Sequence, residues 1–320
     1  MAVNRDKPHR WKEDIAISVD VFNNWFMNFA PRAFRDARSK AVEEVKAAFV
    51  ATRYLLDISP GVLRSNPGVL PTLRMCACPP LARDRLVGLA SVPKAMVDRM
   101  ERNGALPAHR PGASIDTQLD RMGAIIRKLA DSDVLPWLER GGEPSPEDAH
   151  RAATIVADRL CGAAADPIIR NAQEARQLRL IADWLDARGY RRLPPGSGVK
   201  FPNVPPAAYT FRLNVPTGTE GSRRVVNIPV DAAIMPSTAN RSALPILIEA
   251  KSAGDFTNVN KRRKEEAKKI DQLRKTYGKR VQYLLFLTGY FDSGYLGYEA
   301  AEGIDWVWEH RIDDLAKFGL

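Results

Sequence analysis

Two short apolar runs, Leu244–Ala250 and Val281–Leu287, constrain the fold of this chain more than any other feature. Each has the length of a strand, and the second is apolar enough to be covered on both faces of a sheet. Between them lies a long basic stretch with helical character, for which Asp255 or Thr257 can act as the cap and which reaches Tyr277. Upstream, Tyr209–Val215 reads as a strand, and Val225–Ile234 alternates apolar and polar residues as a half-buried strand does. A helix precedes these strands. Asp166-Pro167 is a favourable helix start, Ile168, Ala172, Ala175, Leu178, Ile181 and Leu185 follow at helical spacing, and Gly189 can end it. The order helix, strand, strand, strand, helix, strand predicts an α/β (α+β) domain over 166–320, with a mixed central sheet flanked by helices.

Residues 1–165 read differently. Glu13–Phe29 and Ala33–Leu56 carry apolar residues at helical spacing, and further helices are expected around 83–103, 115–131 and 146–163. This predicts a mainly helical domain over 1–165, with Trp11, Trp25, Phe26 and Phe29 in its core. No run of eighteen apolar residues exists and the first ten residues are too polar for a secretory signal, so a soluble cytoplasmic protein is expected, with no membrane contact. Three cysteines, Cys76, Cys78 and Cys161, offer no second pair for a metal or disulfide framework and read as reduced thiols. The four histidines form no ligand spacing.

The net charge of +10 points weakly to a polyanionic partner, and its distribution is more informative. Residues 251–280 hold eleven basic and four acidic side chains, a net +7 within about a tenth of the chain. Such a run also fits an ordinary solvated helix face.

Its position matters because of the strands before it. Alternation of Val226, Ile228, Val230, Ala232 and Ile234 puts Asp231 on the opposite face. In Pro245-Ile-Leu-Ile-Glu-Ala-Lys251 the same period puts Glu249 and Lys251 together. The polar segment 235–243 lets the two strands pair as a hairpin, so two carboxylates and an ammonium converge at a strand end. Adjacent carboxylates repel unless a cation lies between them. Mg²⁺ takes one or two carboxylates and completes its octahedron with water and substrate phosphate. Lys251 would orient an attacking water and hold it partly as hydroxide. Glu44-Val-Lys46 and Glu266-Ala-Lys268 have the same spacing but fall in helical patterns, where residues two apart do not face each other. The residues alone leave two readings open: a magnesium-dependent nuclease site, and a salt-bridged strand end beside an exposed helix.

Asp231 with Glu249-Ala-Lys251, preceded by a helix and followed by a basic one, resembles the PD-(D/E)xK nuclease superfamily. Longer strings are similar to the XamI-type Type II restriction endonucleases. These are Ile248–Glu266, Leu70-Pro-Thr-Leu-Arg74, Pro79-Pro-Leu-Ala-Arg-Asp-Arg85, Gly303-Ile-Asp-Trp306 and His310-Arg-Ile-Asp-Asp314. The resemblance implies a restriction-endonuclease-like core and Mg²⁺-dependent cleavage of double-stranded DNA at a short, palindromic sequence. It also implies a homodimer, and a prokaryotic host whose methyltransferase guards the site. By position it makes Asp231, Glu249 and the Ala250 carbonyl metal ligands and Lys251 the catalytic lysine. Glu174, on the leading helix, is the place where this superfamily often adds a carboxylate, and the helical region 1–165 would then serve DNA recognition or dimerisation beside a catalytic domain over 166–320.

Asn258, Asn260, Lys261, Arg262, Arg263 and Lys264 are candidate DNA contacts, mostly to phosphates. Gly289-Tyr290, Gly294-Tyr295 and Gly297-Tyr298 read as an aromatic loop, and Trp306 and Trp308 as packing residues of a short strand. A repair or recombination nuclease and a non-catalytic DNA-binding protein of the same fold are the rival readings.

Overall fold

The computed structural model describes residues 2–107, 112–194, 196–218, 225–240, 242–256 and 259–320, with the side chains of 112, 113 and 259–263 excepted. Helices α1 (Pro8–Ala51), α2 (Pro60–Ser65), α3 (Leu70–Met75), α4 (Arg83–Ala90), α5 (Lys94–Asn103), α6 (Gly112–Leu129), α7 (Trp137–Arg140) and α8 (Pro146–Asp186) come first. A mixed sheet follows, with β1 (Arg191–Arg192), β2 (Ala208–Thr217), β3 (Val226–Met235), β4 (Ile246–Ala253), β5 (Tyr283–Gly289) and β6 (Asp305–Trp308) side by side in chain order. The β2–β3 and β3–β4 pairs are antiparallel, and β4–β5 and β5–β6 are parallel. Parallel neighbours need a crossover, which α9 (Val259–Tyr277) supplies between β4 and β5 and α10 (Ser293–Ala301) between β5 and β6.

The sheet is covered on both faces, which is why every residue of β5 is buried and apolar except Thr288 and Gly289. One core unites Leu247, Leu285 and Leu287 with Ile270 and Leu273 of α9 and Tyr295 and Leu296 of α10. The other unites Ile246, Ile248, Leu284 and Phe286 with Ile181, Trp184 and Leu185 of α8. Trp306 and Trp308 enter the first core and Val307 the second, so the strand-like alternation of this segment is real.

The chain divides into two compact units. One comprises Met1–Phe29 with Arg170–Leu320, the other Ala30–Ile169. The first 29 residues therefore belong with the sheet and not with the helical unit, unlike the sequential division expected from composition. Asp305 is the reason: its carboxylate accepts from the backbone N–H groups of Val3 (2.6 Å), Asn4 (3.0 Å) and Arg5 (3.1 Å). Asp14 adds an ion pair to Arg311 at 2.9 Å. Within the helical unit, Arg74 and Glu101 form a nearly buried ion pair at 2.6 Å, extended by Arg83 to Glu101 and Asp98.

Several expectations are corrected. The helices foreseen at 13–29 and 33–56 are one helix, α1, with Pro31 inside it. Asp166-Pro167 does not start a helix but lies within α8. An interior proline costs about 3 kcal/mol, yet apolar residues on either side of each are held in cores, Phe22 and Ala41 in α1, Cys161 and Ile181 in α8. That burial outweighs the lost hydrogen bond. The aromatic loop is largely α10, capped by Asp292, which accepts from Tyr295 N at 2.7 Å, and Tyr295 itself is buried. Phe26 is not core but 42% exposed.

Gly289 shows how tightly the ends of β4 and β5 are joined. Its φ is 96°, and a Cβ there would lie 2.1 Å from the Ala253 carbonyl oxygen. Ser18 Oγ accepts from its N–H at 2.8 Å. Gly289→Ala is expected to destabilise the protein by about 2–4 kcal/mol, from backbone strain plus the clash. Chemical denaturation measures this, and a change below about 0.5 kcal/mol contradicts it.

Candidate active site

The two strands that carry the candidate residues pair only briefly. The β3–β4 register covers Ala232↔Ile248, Ala233↔Leu247 and Ile234↔Ile246 and stops one step short of Asp231 and Glu249. The alternation in β3 is also broken at this point. Ile228 and Val230 share a core with Ala233 and Met235, whereas Ala232 and Ile234 belong to the other face. The uniform alternation expected for this strand thus reverses beside Asp231, opposite Arg212, whose φ is 55° and which the β2–β3 register skips. Asp231 still comes to the face of Leu247 and Glu249, and its Oδ2 accepts from Ala250 N at 2.8 Å.

Glu249 and Lys251 share that face, as their spacing requires. Lys251 Nζ is 3.2 Å from Glu249 Oε1, and Lys269 Nζ of α9 is 2.7 Å from the same oxygen. Glu249 Oε2 is buried and has no hydrogen-bond partner among the described residues. On the far side of the lysine, Lys251 Nζ lies 2.8 Å from Glu266 Oε1. Tyr283 donates its hydroxyl to Glu266 Oε2. The backbone of Lys251 is held separately: Gln177 of α8, itself buried, donates from Nε2 to the carbonyls of Lys251 and Phe286 at 3.2 Å each.

The electrostatics follow from this crowding. Burial, then the charge of Glu249, pushes the Asp231 pKa up to about 6, against the pull of the Ala250 N–H and Lys251, and Glu174 adds to the rise. Burial works against the Lys251 ammonium, but the charges of Glu266 and Glu249 outweigh it and hold the pKa above the ordinary lysine value. Lys251 is therefore a charged donor at neutral pH and not a base. Glu299 of α10 is pushed up to about 8, by burial first and then by the charge of Glu266, and is neutral at pH 7.

The remaining candidates are distributed unevenly. Glu174 is half-buried and pairs with Arg212 at 2.9 Å, acting on Asp231 through its charge. Asn258 lies outside the described residues, as do the side chains of Asn260, Lys261, Arg262 and Arg263, whose backbone forms the first turns of α9. Lys264 is exposed. The basic run is not all solvent-facing: Lys269 points inward to Glu249, and Arg274 donates to the carbonyls of Glu302 (2.8 Å) and Gly303 (3.2 Å). Glu266, set aside as a helical coincidence, belongs to the cluster. The overlooked signal is its place at i, i+4, i+7 with Ile270 and Leu273, the buried stripe of α9. A cleft of about 1100 Å³ lined by Arg179, Arg192, Lys200 and Arg212 contains none of Asp231, Glu249 or Lys251.

Residues 53–308, a span that includes Asp231, Glu249 and Lys251, match the XamI restriction endonuclease family. The chain belongs to that family. It is also 52% identical over 317 residues to the Type II restriction enzyme SalI of Streptomyces albus G, covering 99% of each chain. No solved structure matches. Membership of the XamI family carries endonuclease activity and decides against the repair and non-catalytic readings. No helix among the described residues is long and apolar enough to cross a membrane.

The raised pKa of Asp231 has a measurable consequence for this XamI-family chain. A carboxyl with a folded-state pKa near 6, above its ordinary 3.8, contributes stability that is present below about pH 4 and lost as the pH rises through 6. Asp231→Asn keeps an acceptor for Ala250 N–H and removes the charge. In the presence of a chelator it is expected to raise the melting temperature by about 2–4 °C at pH 8 and to leave it unchanged at pH 4. Equal effects at both pH values contradict the assignment.

Proposed function

We propose that the chain is a Type II restriction endonuclease that hydrolyses both strands of DNA at a short palindromic sequence, with Mg²⁺ held by Asp231 and Glu249. The observation that carries this is the buried Glu249 Oε2, unpartnered among the described residues, beside a carboxyl, Asp231, whose ionisation the site itself opposes. Two acidic groups forced together, with an oxygen that finds no donor, fit a hard divalent cation. Among the described residues no group of three or more His, Cys, Asp or Glu side chains is arranged to hold a metal. A two-carboxylate set completed by the Ala250 carbonyl, water and phosphate suits magnesium, which keeps much of its hydration. Glu174 would have to leave Arg212 to join it. When bound, the ion supplies an acidified water and offsets charge building on the phosphate.

The protein's own groups do the rest. Lys251 stays an ammonium, so it donates to the attacking water or to a phosphate oxygen and does not take a proton. Asp231, held by Ala250 N–H, and Glu249, held by Lys269, are fixed before DNA arrives. Lys264 and the neighbouring Asn258, Asn260, Lys261, Arg262 and Arg263 are proposed to contact DNA, chiefly through phosphates. The helical unit is proposed to serve recognition or dimerisation, the 166–320 region catalysis. A palindromic target is matched by a homodimer. The setting is the cytoplasm of a prokaryote whose methyltransferase protects the same sequence. The Type II class is carried over from the relative of 52% identity.

Incubation with plasmid DNA and Mg²⁺ is expected to give discrete fragments, and a chelator to abolish them. Asp231→Ala, Glu249→Ala and Lys251→Ala are each expected to lower kcat by about 10³-fold or more. Smeared products, or full activity in any of the three variants, contradict this reading.

A further inference from the structure

Lys251 reaches its place on a side chain with four rotatable bonds, and its nitrogen must be held if it is to orient anything. Its partner Glu249 is a poor anchor. Oε1 of that carboxylate is already shared with Lys269, which at 2.7 Å is nearer than Lys251 at 3.2 Å. Glu249 is also the carboxylate proposed to hold the cation. Glu266 has no such second task. It is completely buried, lies 2.8 Å from Lys251 Nζ, and is 3.8 Å from Lys269 Nζ. Tyr283, also buried, donates to its other oxygen and stays protonated, since burial and the nearby carboxylates hold the phenol well above its usual range.

We infer that Glu266, oriented by Tyr283, is a positioning residue that fixes the Lys251 ammonium for DNA cleavage. This rests on the reading of Lys251 as the catalytic lysine. Three features converge on it. Glu266 stands on the buried stripe of α9 with Ile270 and Leu273, so the helix that crosses over from β4 to β5 carries a carboxylate back to the strand it left. Tyr283 stands on β5 directly beside Leu247 of β4, so the donor that sets the carboxylate's angle comes from the neighbouring strand. Finally, a buried ion pair is a weak device for stability, because apolar residues of the same volume often serve as well. A carboxylate kept here at the cost of burying its charge is explained by what it holds.

The test compares Glu266→Ala, Glu266→Gln and Tyr283→Phe with Lys251→Ala, using the full-length protein and a DNA duplex cut by the native protein. Cleavage with Mg²⁺ gives kcat and KM, and DNA affinity is measured with Ca²⁺ in place of Mg²⁺. Glu266→Ala is expected to lower kcat by about 100-fold, as misplacement of a reacting group does. Glu266→Gln, which keeps an acceptor, should recover part of this, to a loss of about 10-fold, and Tyr283→Phe should lose about 3–10-fold. KM and the Ca²⁺ affinity should stay within about twofold of native in all of them. If Glu266→Ala fails to fold, the near-isosteric Gln and Phe variants carry the test. Native kcat in both of these, with Lys251→Ala inactive, overturns the inference and leaves the role of Lys251 intact. A raised KM with native kcat also overturns it, by assigning Glu266 to DNA binding. Native activity in Lys251→Ala overturns both readings.

Discussion

The hydrogen bond from Ala250 N–H to the Asp231 carboxylate is the hinge of the site. In a continuing antiparallel ladder that N–H would meet a backbone carbonyl of the partner strand. Here β3 and β4 part after three pairs, and a side chain takes the carbonyl's place. A buried N–H left without an acceptor costs about 1–3 kcal/mol, so the parting of the strands and the presence of an acid at 231 require each other. The same bond draws Asp231 toward Glu249, and burial together with that charge raises its pKa to about 6. Local sheet geometry thus stores the electrostatic tension that a cation would relieve.

Around this point the structure is built in layers. Glu249 and Lys251 follow from the period of β4. Gln177 fixes the backbone of Lys251 from α8, and Glu266 and Tyr283 meet its nitrogen from α9 and β5. The basic helix has a divided role. Its inner side, with Lys269 and Arg274, is spent on internal contacts, whereas Lys264 is exposed.

What could be read from the chain alone was governed by how local the signal is. The strands, the pairing of Glu249 with Lys251 and the buried tryptophans of β6 all express a period of two, which burial enforces residue by residue. Pro31 and Pro167 misled because a helix break is a local preference and the cores on either side of each overrode it. Glu266 was missed because its partners, Lys251 and Tyr283, lie 15 and 17 residues away and meet it only through the crossover. The strings whose resemblance to the XamI-type enzymes was read from the sequence are instructive in another way. Arg74 with Arg83 on Glu101, Asp305 on residues 3–5, and Arg311 on Asp14 and Asp314 are ion pairs and caps that hold the fold.

The tie between Asp305 and the backbone of residues 3–5 also orders events in time. A chain made from its N-terminus releases Val3–Arg5 long before Asp305, and the helical unit of 30–169 lies between them in sequence. Closing so long a loop is slow compared with forming the local contacts of helices. Local helical contacts within 30–169 can therefore form before residues 3–5 find Asp305 at the start of the edge strand β6. The N-terminal segment is thus seated on the sheet only by a residue near the other end of the chain.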